Sequence, residues 1–240
     1  DKLDVDQWIS VARDAGMKYV VFTAKHGYSF ELWPSKHSNH NVAFSSYKTD
    51  VVEKLVEACR KKGVKTGLYY PSTKNESLMT AQLTELYTQY GSIDEIWIDT
   101  PGVLTSAFRK FLYDYLAFLQ PEAYIMMNRG MNVKLAERYD HFMPSDLYAI
   151  EKDMPSGEGY KKWHTIDGEE YYLPGEVCNP IGKNWFFLPD DPPRTDITEQ
   201  YLACRQRGVN LLLNVPPDQH GLIRKEYIDA LNKLRKNAGL

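Results

Sequence analysis

Residues 19–26 read Tyr-Val-Val-Phe-Thr-Ala-Lys-His, an apolar run that ends in two polar side chains. Short continuous apolar runs of this kind are typical of strands buried on both faces, as in a parallel sheet covered by helices. Residues 211–215, Leu-Leu-Leu-Asn-Val, have the same character. Amphipathic periodicity predicts a helix on each side of the first run, over residues 5–16 and 51–62. The chain therefore begins as an alternation of helices and strands.

The alternation continues in units of roughly 30 residues, the length of a βαβ unit. The other predicted strands are residues 64–70, 95–99, 124–128 and 210–215, with two weaker ones near 140–143 and 176–179. The other predicted helices are residues 78–90, 106–119, 197–207 and 226–236. Between residues 128 and 197 the chain is rich in Pro, Gly and aromatic residues, and apart from the two weak strands we expect irregular structure there.

This α/β pattern fits either a (β/α)8 TIM-like barrel or a doubly wound sheet. The barrel is favoured because polar residues follow the ends of the predicted strands, where barrel active sites collect their side chains. Seven strands are predicted, and the first helix has no strand before it. We therefore expect a single barrel domain over residues 1–240 whose first strand lies upstream of residue 1.

The composition excludes several classes of protein. Of 240 residues, 43% are hydrophobic and 13% aromatic, enough for one large folded domain. The net charge of -3 is spread along the chain, so nucleic acid is not an expected partner. No apolar run approaches the roughly 18 residues of a membrane span, and no signal peptide is visible. Cys59, Cys178 and Cys204 are too few and too widely spaced for a disulfide framework or a zinc knuckle.

Three polar residues stand at or just after the ends of predicted strands. Asp99 closes the run Glu-Ile-Trp-Ile-Asp, so its carboxylate could be a nucleophile or could cap the turn before Pro101. His26 could take part in catalysis at the same end of the predicted sheet, or it could be a structural histidine. Arg129 could bind a carboxylate or sugar hydroxyls through its planar guanidinium group, or it could form an ion pair at the rim of the predicted barrel.

Two acidic residues, Glu151 and Glu176, lie in the irregular region among many aromatic side chains. Such aromatics could line a site for the apolar faces of sugar rings, or could pack the loops together. Two carboxylates at the mouth of a barrel suggest glycoside hydrolysis, in which one acts as acid or base and the other as nucleophile or base.

Seven motifs, in order and over almost the whole chain, resemble the α-L-fucosidases of glycoside hydrolase family 29. The family's strand-two motif, approximately Thr-Ala-Lys-His-His-Asp-Gly-Phe followed by Leu-Trp and Ser-Lys, is similar to residues 23–36, Thr-Ala-Lys-His-Gly-Tyr-Ser-Phe-Glu-Leu-Trp-Pro-Ser-Lys. The other matches are Asp-Val-Val at 50–52, Gly-Leu-Tyr-Tyr at 67–70, Gln-Leu to Tyr-Gly at 82–91, Trp-Ile-Asp at 97–99, Asn-Arg at 128–129 and Asn-Leu-Leu-Leu-Asn-Val-Pro-Pro at 210–217.

The resemblance implies a role for each site residue. Asp99 becomes the catalytic nucleophile, and Glu151, a few dozen residues later, the acid/base. Glu176 is similar to the Glu of a Trp-Glu-x-Cys motif and is expected behind the catalytic pair, although the two glutamates could exchange roles. The residues implied around the sugar are His26, Tyr69 or Tyr70, Trp97, Arg129 and Trp33.

The sequence departs from the family pattern at three positions: Gly27 and Tyr28 replace the second His and the Asp of the strand-two motif, and Gly175 replaces the Trp before the later Glu. Some hydroxyl contacts to fucose are therefore expected to be remade. The family's first strand, with another sugar-binding His, and the C-terminal β-sandwich of many members are not within these 240 residues.

The family implies a retaining exo-glycosidase that releases α-linked L-fucose from a fucosylated oligosaccharide or glycoconjugate, with carboxyl groups about 5 to 5.5 Å apart. It implies no metal or organic cofactor, and a secreted, periplasmic or lysosomal location. The alternatives are a family member acting on another L-sugar and a non-catalytic carbohydrate-binding relic. A metal-dependent barrel hydrolase is disfavoured because the six histidines are scattered.

Overall fold

The computed structural model describes residues 3–128, 143–166 and 168–240. These residues form six α-helices joined mostly through parallel strands. The helices are α1 Val5–Asp14, α2 Val51–Lys62, α3 Glu76–Gln89, α4 Ser106–Leu119, α5 Ile197–Arg207 and α6 Lys225–Ala238. The strands are β1 Tyr19–Thr23, β2 Lys65–Pro71, β3 Glu95–Asp99, β4 Tyr124–Met127, β5 Tyr148–Glu151, β6 Trp163–Ile166, β7 Glu169–Tyr172, β8 Gly175–Pro180 and β9 Asn210–Asn214.

Local signals in the sequence fix the helix ends. In α2, the Asp50 side chain accepts a hydrogen bond from the backbone N–H of Glu53 at 2.9 Å, which satisfies one of the free donors of the first turn. The helix ends at Gly63, whose positive φ of 68° suits a residue without Cβ. The helices over residues 51–62, 106–119 and 197–207 were predicted with the bounds that the structure shows.

The strands form two parallel sheets and a hairpin. The first sheet has the order β1-β2-β3-β4 and the second β5-β8-β9, while β6 and β7 pair antiparallel. Seven parallel strands are thus present among the described residues. The parallel α/β architecture is confirmed, but the described strands do not close into a barrel.

One parallel strand lies where none was predicted: β5, Tyr148–Glu151, pairs with β8 in parallel. The strand expected near residues 140–143 stays a prediction, because residues 140–142 lie outside the described residues. The run of β5 is only four residues long and stands beside polar Ser145 and Asp146, so no long apolar pattern marks it. Glu151 therefore ends a strand and is not part of an irregular loop. The β6–β7 hairpin was not predicted.

Side chains connect the two sheets where strand pairing stops. Beside β4, the Asp146 carboxylate accepts from the N–H of Ile125 at 2.7 Å, and the Ser145 hydroxyl accepts from the N–H of Met127 at 3.0 Å. At the other edge, Asn210 of β9 donates to the Tyr19 hydroxyl of β1. These bonds satisfy polar groups at the sheet edges and hold the sheets beside each other.

The two sheets share an inner core to which every parallel strand contributes one side chain. These are Val21, Tyr69, Trp97, Met126, Ala149, Cys178 and Leu212. Space at the bottom of this layer is tight, because a Cβ at Gly67 would lie 2.9 Å from the Val21 side chain. The strand register places Asp99 two residues above Trp97 on the same face, so it stands at the carboxyl end of this core.

Candidate active site

Three hydrogen-bond donors hold the Asp99 carboxylate at the end of β3. The Tyr69 hydroxyl donates to Oδ2 at 2.5 Å, the Asn128 amide to Oδ1 at 2.7 Å, and the backbone N–H of Thr100 to Oδ1 at 2.8 Å. Thr100 has a φ of 52°, which is costly for a residue with a Cβ. The backbone thus leaves the strand in a strained turn that aims its own N–H at the carboxylate.

Glu151 stands on the neighbouring sheet, half-buried at the end of β5. Burial raises the pKa of its carboxyl above the ordinary value, and the negative charge of Asp99 raises it further. A hydrogen bond from Asn128 and the charge of Lys152 act in the opposite direction without cancelling the rise. Glu151 is therefore an acid that retains its proton to higher pH than a solvent-exposed glutamate.

One amide connects the two carboxyl groups. Asn128 donates through Nδ2 to Asp99, and its hydrogen bond to Glu151 favours the ionised form of that group, as only a donor does. Nδ2 is the donor of an asparagine side chain, so both oxygens contact the same nitrogen. The carboxyls of Asp99 and Glu151 are therefore neighbours that share one amide.

An aromatic wall stands beside this pair. The Tyr69 ring stacks with Trp97 at 6.1 Å between centroids, and His26 stacks on Tyr69 at 5.6 Å. Phe186 completes the row in an edge-to-face contact with His26, with the ring centroids 4.9 Å apart. Because His26 and Phe186 are exposed while Trp97 is buried, the wall runs from the core into solvent. A flat apolar surface beside two carboxyls can bind one face of a sugar ring.

The loop that carries Phe186 is held by a buried carboxylate. Asp191 accepts from the backbone N–H of Lys183 at 2.8 Å and of Asn184 at 3.0 Å. Although burial acts to raise it, the pKa of Asp191 is lowered by these bonds. Gly182 is required here, because a Cβ would lie 2.6 Å from the Asp191 carboxylate. Trp185 and Phe186 are positioned by this anchor.

Glu176 lies below the mouth of the core, at the opposite end from Asp99. It is 2% exposed and accepts from the Trp97 indole at 2.9 Å and from Asn210 at 3.1 Å, and it also accepts from the Tyr19 hydroxyl. A carboxyl so enclosed has no free face for a substrate. The structure brings Glu151, and not Glu176, to Asp99.

Glu176 forms a buried acid pair with Glu95. Burial raises the pKa of both carboxyls, and for Glu95 the charge of Glu176 adds to the rise. The folded state therefore binds more protons than the unfolded chain once the pH exceeds the ordinary carboxyl pKa of about 4.3. This contribution to stability is complete below that pH and is lost as the pH rises through the folded-state pKa.

We expect Glu95→Gln to flatten the decline of the unfolding temperature between pH 5 and pH 9, since the variant lacks one of the two titrating groups. Thermal unfolding of the parent and the variant across this range measures the effect. Glu57→Gln, at an exposed position of α2, is the matched control and should leave the slope unchanged. Parallel profiles for the parent and Glu95→Gln would show that the pair does not titrate in this window.

Two other residues implied around the sugar lie in a buried polar network. The Tyr70 hydroxyl donates to Gln82 at 2.6 Å, and the Trp33 indole donates to Glu85 at 2.9 Å. Both side chains are 0% exposed. As placed, Tyr70 and Trp33 present no surface to a ligand, and of the two candidate tyrosines Tyr69 is the one at Asp99.

This placement predicts opposite effects of removing the two tyrosine hydroxyls. Tyr69→Phe removes a hydrogen bond to a charged group and should lower kcat about 10- to 100-fold, with little change in unfolding temperature. Tyr70→Phe, the matched control, should cost about 1 kcal/mol of stability and leave kcat nearly unchanged. Steady-state kinetics with thermal unfolding measures both; the reverse pattern would assign Tyr70 to the site.

For several site residues, the sequence does not reveal the role that the structure gives them. Asn128 ends a predicted strand as Asp99 does, but its contact with both carboxyls depends on where Glu151 lies. Phe186 and Trp185 occupy a loop with no periodic signal. Arg129 lies outside the described residues, so its predicted role stays a prediction.

Within the described ranges, no group of three or more His, Cys, Asp or Glu side chains is placed to hold a metal ion. The same residues contain no helix with the length and hydropathy needed to cross a bilayer. All three cysteines are buried and free.

Comparison with known families gives a match over nearly the whole chain. A family model described as Alpha-L-fucosidase matches residues 1–77 and 71–236. The plasma alpha-L-fucosidase of Rattus norvegicus is 41% identical over 263 residues, covering 96% of this chain and 53% of that protein. Alpha-L-fucosidase 1 of Arabidopsis thaliana is 28% identical, covering 96% of this chain and 50% of that protein.

A solved structure shows the same fold. A glycoside hydrolase 29 family member from an unknown rumen bacterium superposes with a TM-score of 0.79 at 25% identity, covering 98% of this chain and 49% of that one. The chain thus spans about half the length of the curated relatives it matches.

Proposed function

Because the chain belongs to the alpha-L-fucosidase family, we propose that the protein containing it is a retaining glycosidase that releases α-linked L-fucose from glycans. The observation that carries this proposal is the Asn128 amide shared by the carboxyls of Asp99 and Glu151. A shared amide is compatible with a retaining pair, whose carboxyl groups lie about 5–5.5 Å apart.

In the first step, an Asp99 oxygen attacks the anomeric carbon and the bond from that carbon to the leaving oxygen breaks. Glu151 gives its proton to the leaving oxygen, so the aglycone departs neutral. The raised pKa of Glu151 supports this role, because the group must be protonated before the step. The donors from Tyr69, Asn128 and Thr100 orient the attacking carboxylate.

In the second step, ionised Glu151 accepts a proton from water, the resulting hydroxide attacks the anomeric carbon, and the bond to Asp99 breaks. Two inversions leave the released sugar in its original α configuration. The wall of Tyr69, His26 and Phe186 binds an apolar face of the ring throughout both steps.

The proposal extends to the architecture around the site. In the whole protein, residues 1–240 form one catalytic domain in which the two parallel sheets belong to a TIM-like barrel. The inner core, with one side chain from each of seven parallel strands, supports this reading. The proposed location is the secreted, periplasmic or lysosomal one that the resemblance implies, and the name of the rat relative, a plasma alpha-L-fucosidase, supports the secreted alternative.

Hydrolysis of an aryl α-L-fucoside by the full-length protein, followed by NMR, tests the function. We expect turnover in which α-L-fucose is the first anomer released. A first product in the β configuration would make the enzyme inverting and would remove Asp99 from the nucleophile role. A folded protein that binds L-fucose without turnover would be a carbohydrate-binding relic.

A further inference from the structure

The loop that carries His26 has an exposed tip and a buried base. Residues 26–29 are all exposed, whereas Lys25, just before them, and Glu31, shortly after them, are 4% and 1% exposed. Among the described residues, a Cβ added at Gly27 would meet no atom within 4 Å beyond its chain neighbours, so the tip is loosely packed there. The conformation of the tip therefore depends largely on how its base is held.

A buried ion pair joins the two sides of this base. The Lys25 ammonium lies 3.0 Å from Oε1 of Glu31 and donates to the amide oxygen of Gln82, in α3, at 2.9 Å. The amide nitrogen of Gln82 donates to the same Glu31 oxygen at 3.0 Å. The three side chains thus form a closed ring of polar contacts, which we call the base clamp.

Two members of the base clamp are fixed by other parts of the fold. The Glu31 N–H donates to the His40 carbonyl at 3.0 Å, and the Glu31 carbonyl accepts from the Val42 N–H at 3.1 Å. Gln82 is fully buried within α3. Lys25 therefore donates to two groups whose positions do not depend on the tip of the loop.

The base clamp and the aromatic wall lie on opposite faces of β2. Tyr69 and Tyr70 are neighbours in that strand, so their side chains point to opposite faces of the sheet. The Lys25 ammonium lies 5.4 Å from the centre of the Tyr70 ring, on the buried side. The His26 ring stacks on Tyr69, on the inner side, with the centroids 5.6 Å apart. Holding Lys25 on one face therefore directs the next residue to the other.

The base clamp is a poor device for stability alone. Burying two charges removes their hydration, and apolar residues of similar volume in place of a buried ion pair are often neutral or stabilising. Oε2 of Glu31 is buried with no hydrogen-bond partner among the described residues, which adds to the cost. Hydrogen-bonded charges do define one geometry, whereas apolar side chains in the same space can pack in several ways.

We propose that the base clamp of Lys25, Glu31 and Gln82 positions the His26 imidazole in the aromatic wall, where it contacts the sugar. This inference rests on the proposed function. It makes the three residues positioning residues, which act through His26 and do not touch the substrate. Tyr70→Phe leaves the Lys25–Glu31 pair in place, so its expected effect on kcat stays small.

The double variant Lys25→Met/Glu31→Met tests the proposal in the full-length protein, because it replaces the ion pair with apolar side chains of similar length. We expect an unfolding temperature close to that of the parent and a fall in kcat/KM for an aryl α-L-fucoside of about 5- to 20-fold. In a His26→Ala background the same replacement should change kcat/KM less than about 2-fold, since the residue through which it acts is already absent. Lys225→Gln/Asp229→Asn, which removes an exposed ion pair of α6, is the matched control.

NMR of histidine side chains tests the placement of His26 without turnover. The ring currents of Tyr69 and Phe186 should displace the His26 ring resonances, which are assigned by their loss in His26→Ala. In the double variant we expect these resonances to shift towards the values of a free histidine. The resonances of His220, an exposed residue far from the loop in sequence, should stay in place.

Equal losses of kcat/KM in the two backgrounds would overturn the proposal, because the base clamp would then act on the fold and not through His26. Unchanged kcat/KM in the double variant would overturn it as well. If the parent hydrolyses no fucoside, the proposed function fails and the histidine spectrum decides: resonances of His26 that shift in the double variant support the base clamp, and resonances that do not shift overturn it. Should the double variant fail to fold, Gln82→Met, which leaves the ion pair in place, provides the same tests.

Discussion

Replacing Asp99 with Ala is expected to lower kcat/KM for an aryl α-L-fucoside by about 10⁴-fold or more. Without the carboxylate no glycosyl-enzyme can form, and the two-step route is lost entirely. The side chain is half-buried and its donors are a hydroxyl, an amide and a backbone N–H, so the unfolding temperature should fall only modestly. Steady-state kinetics on the full-length protein measures the effect.

Asp114→Ala, at an exposed position of α4 paired with Lys110, is the matched control and should retain full activity. Added azide distinguishes a lost nucleophile from a damaged site: with Asp99→Ala, azide can occupy the vacated space and attack the anomeric carbon in a single inversion. A β-fucosyl azide product supports the role of Asp99. Retention of more than about a tenth of parent activity would contradict it.

Glu151→Gln should have the second largest effect, a loss of about 10²- to 10⁴-fold in kcat/KM that depends on the leaving group. Glutamine cannot give a proton to the departing oxygen, so poor leaving groups suffer most. A fucosyl disaccharide should therefore lose far more than a dinitrophenyl fucoside, whose leaving oxygen needs little protonation. Glu158→Gln, in the exposed loop after β5, is the matched control.

The same residue determines the alkaline limb of the pH profile. The acid must be protonated in the free enzyme, so kcat/KM is retained below the raised pKa of Glu151 and is lost as the pH rises through it. In Glu151→Gln this limb should disappear. An unchanged limb, or equal losses for good and poor leaving groups, would assign the acid/base role to another residue.

The order of helices and strands was predictable because burial on both faces leaves continuous apolar runs, and because capping residues such as Asp50 and Gly63 mark helix ends. The same reasoning found Asp99, the last residue of β3, and His26, three residues after the end of β1. It did not predict β5, since a four-residue strand carries almost no periodic signal.

The choice between Tyr69 and Tyr70 shows what the sequence leaves undetermined. Adjacent residues of a strand face opposite sides, and only the register decides which side faces Asp99. The structure pairs Tyr69 with Trp97 and Tyr70 with Ile98, so Tyr69 shares the inner face with the nucleophile. The enclosure of Glu176 by Tyr19, Trp97 and Asn210 likewise depends on three strands meeting, which no single stretch of sequence contains.

The most direct test of the account is to trap the glycosyl-enzyme. The full-length protein would be incubated with 2-fluoro-fucosyl fluoride, digested with protease and examined by peptide mass spectrometry. We predict one added 2-fluorofucosyl group on the peptide containing Asp99, located to that residue by fragmentation and absent in Asp99→Ala. A label on Glu151 or Glu176 instead, or steady hydrolysis of aryl fucoside with no covalent label, would contradict the assignment of Asp99 as nucleophile.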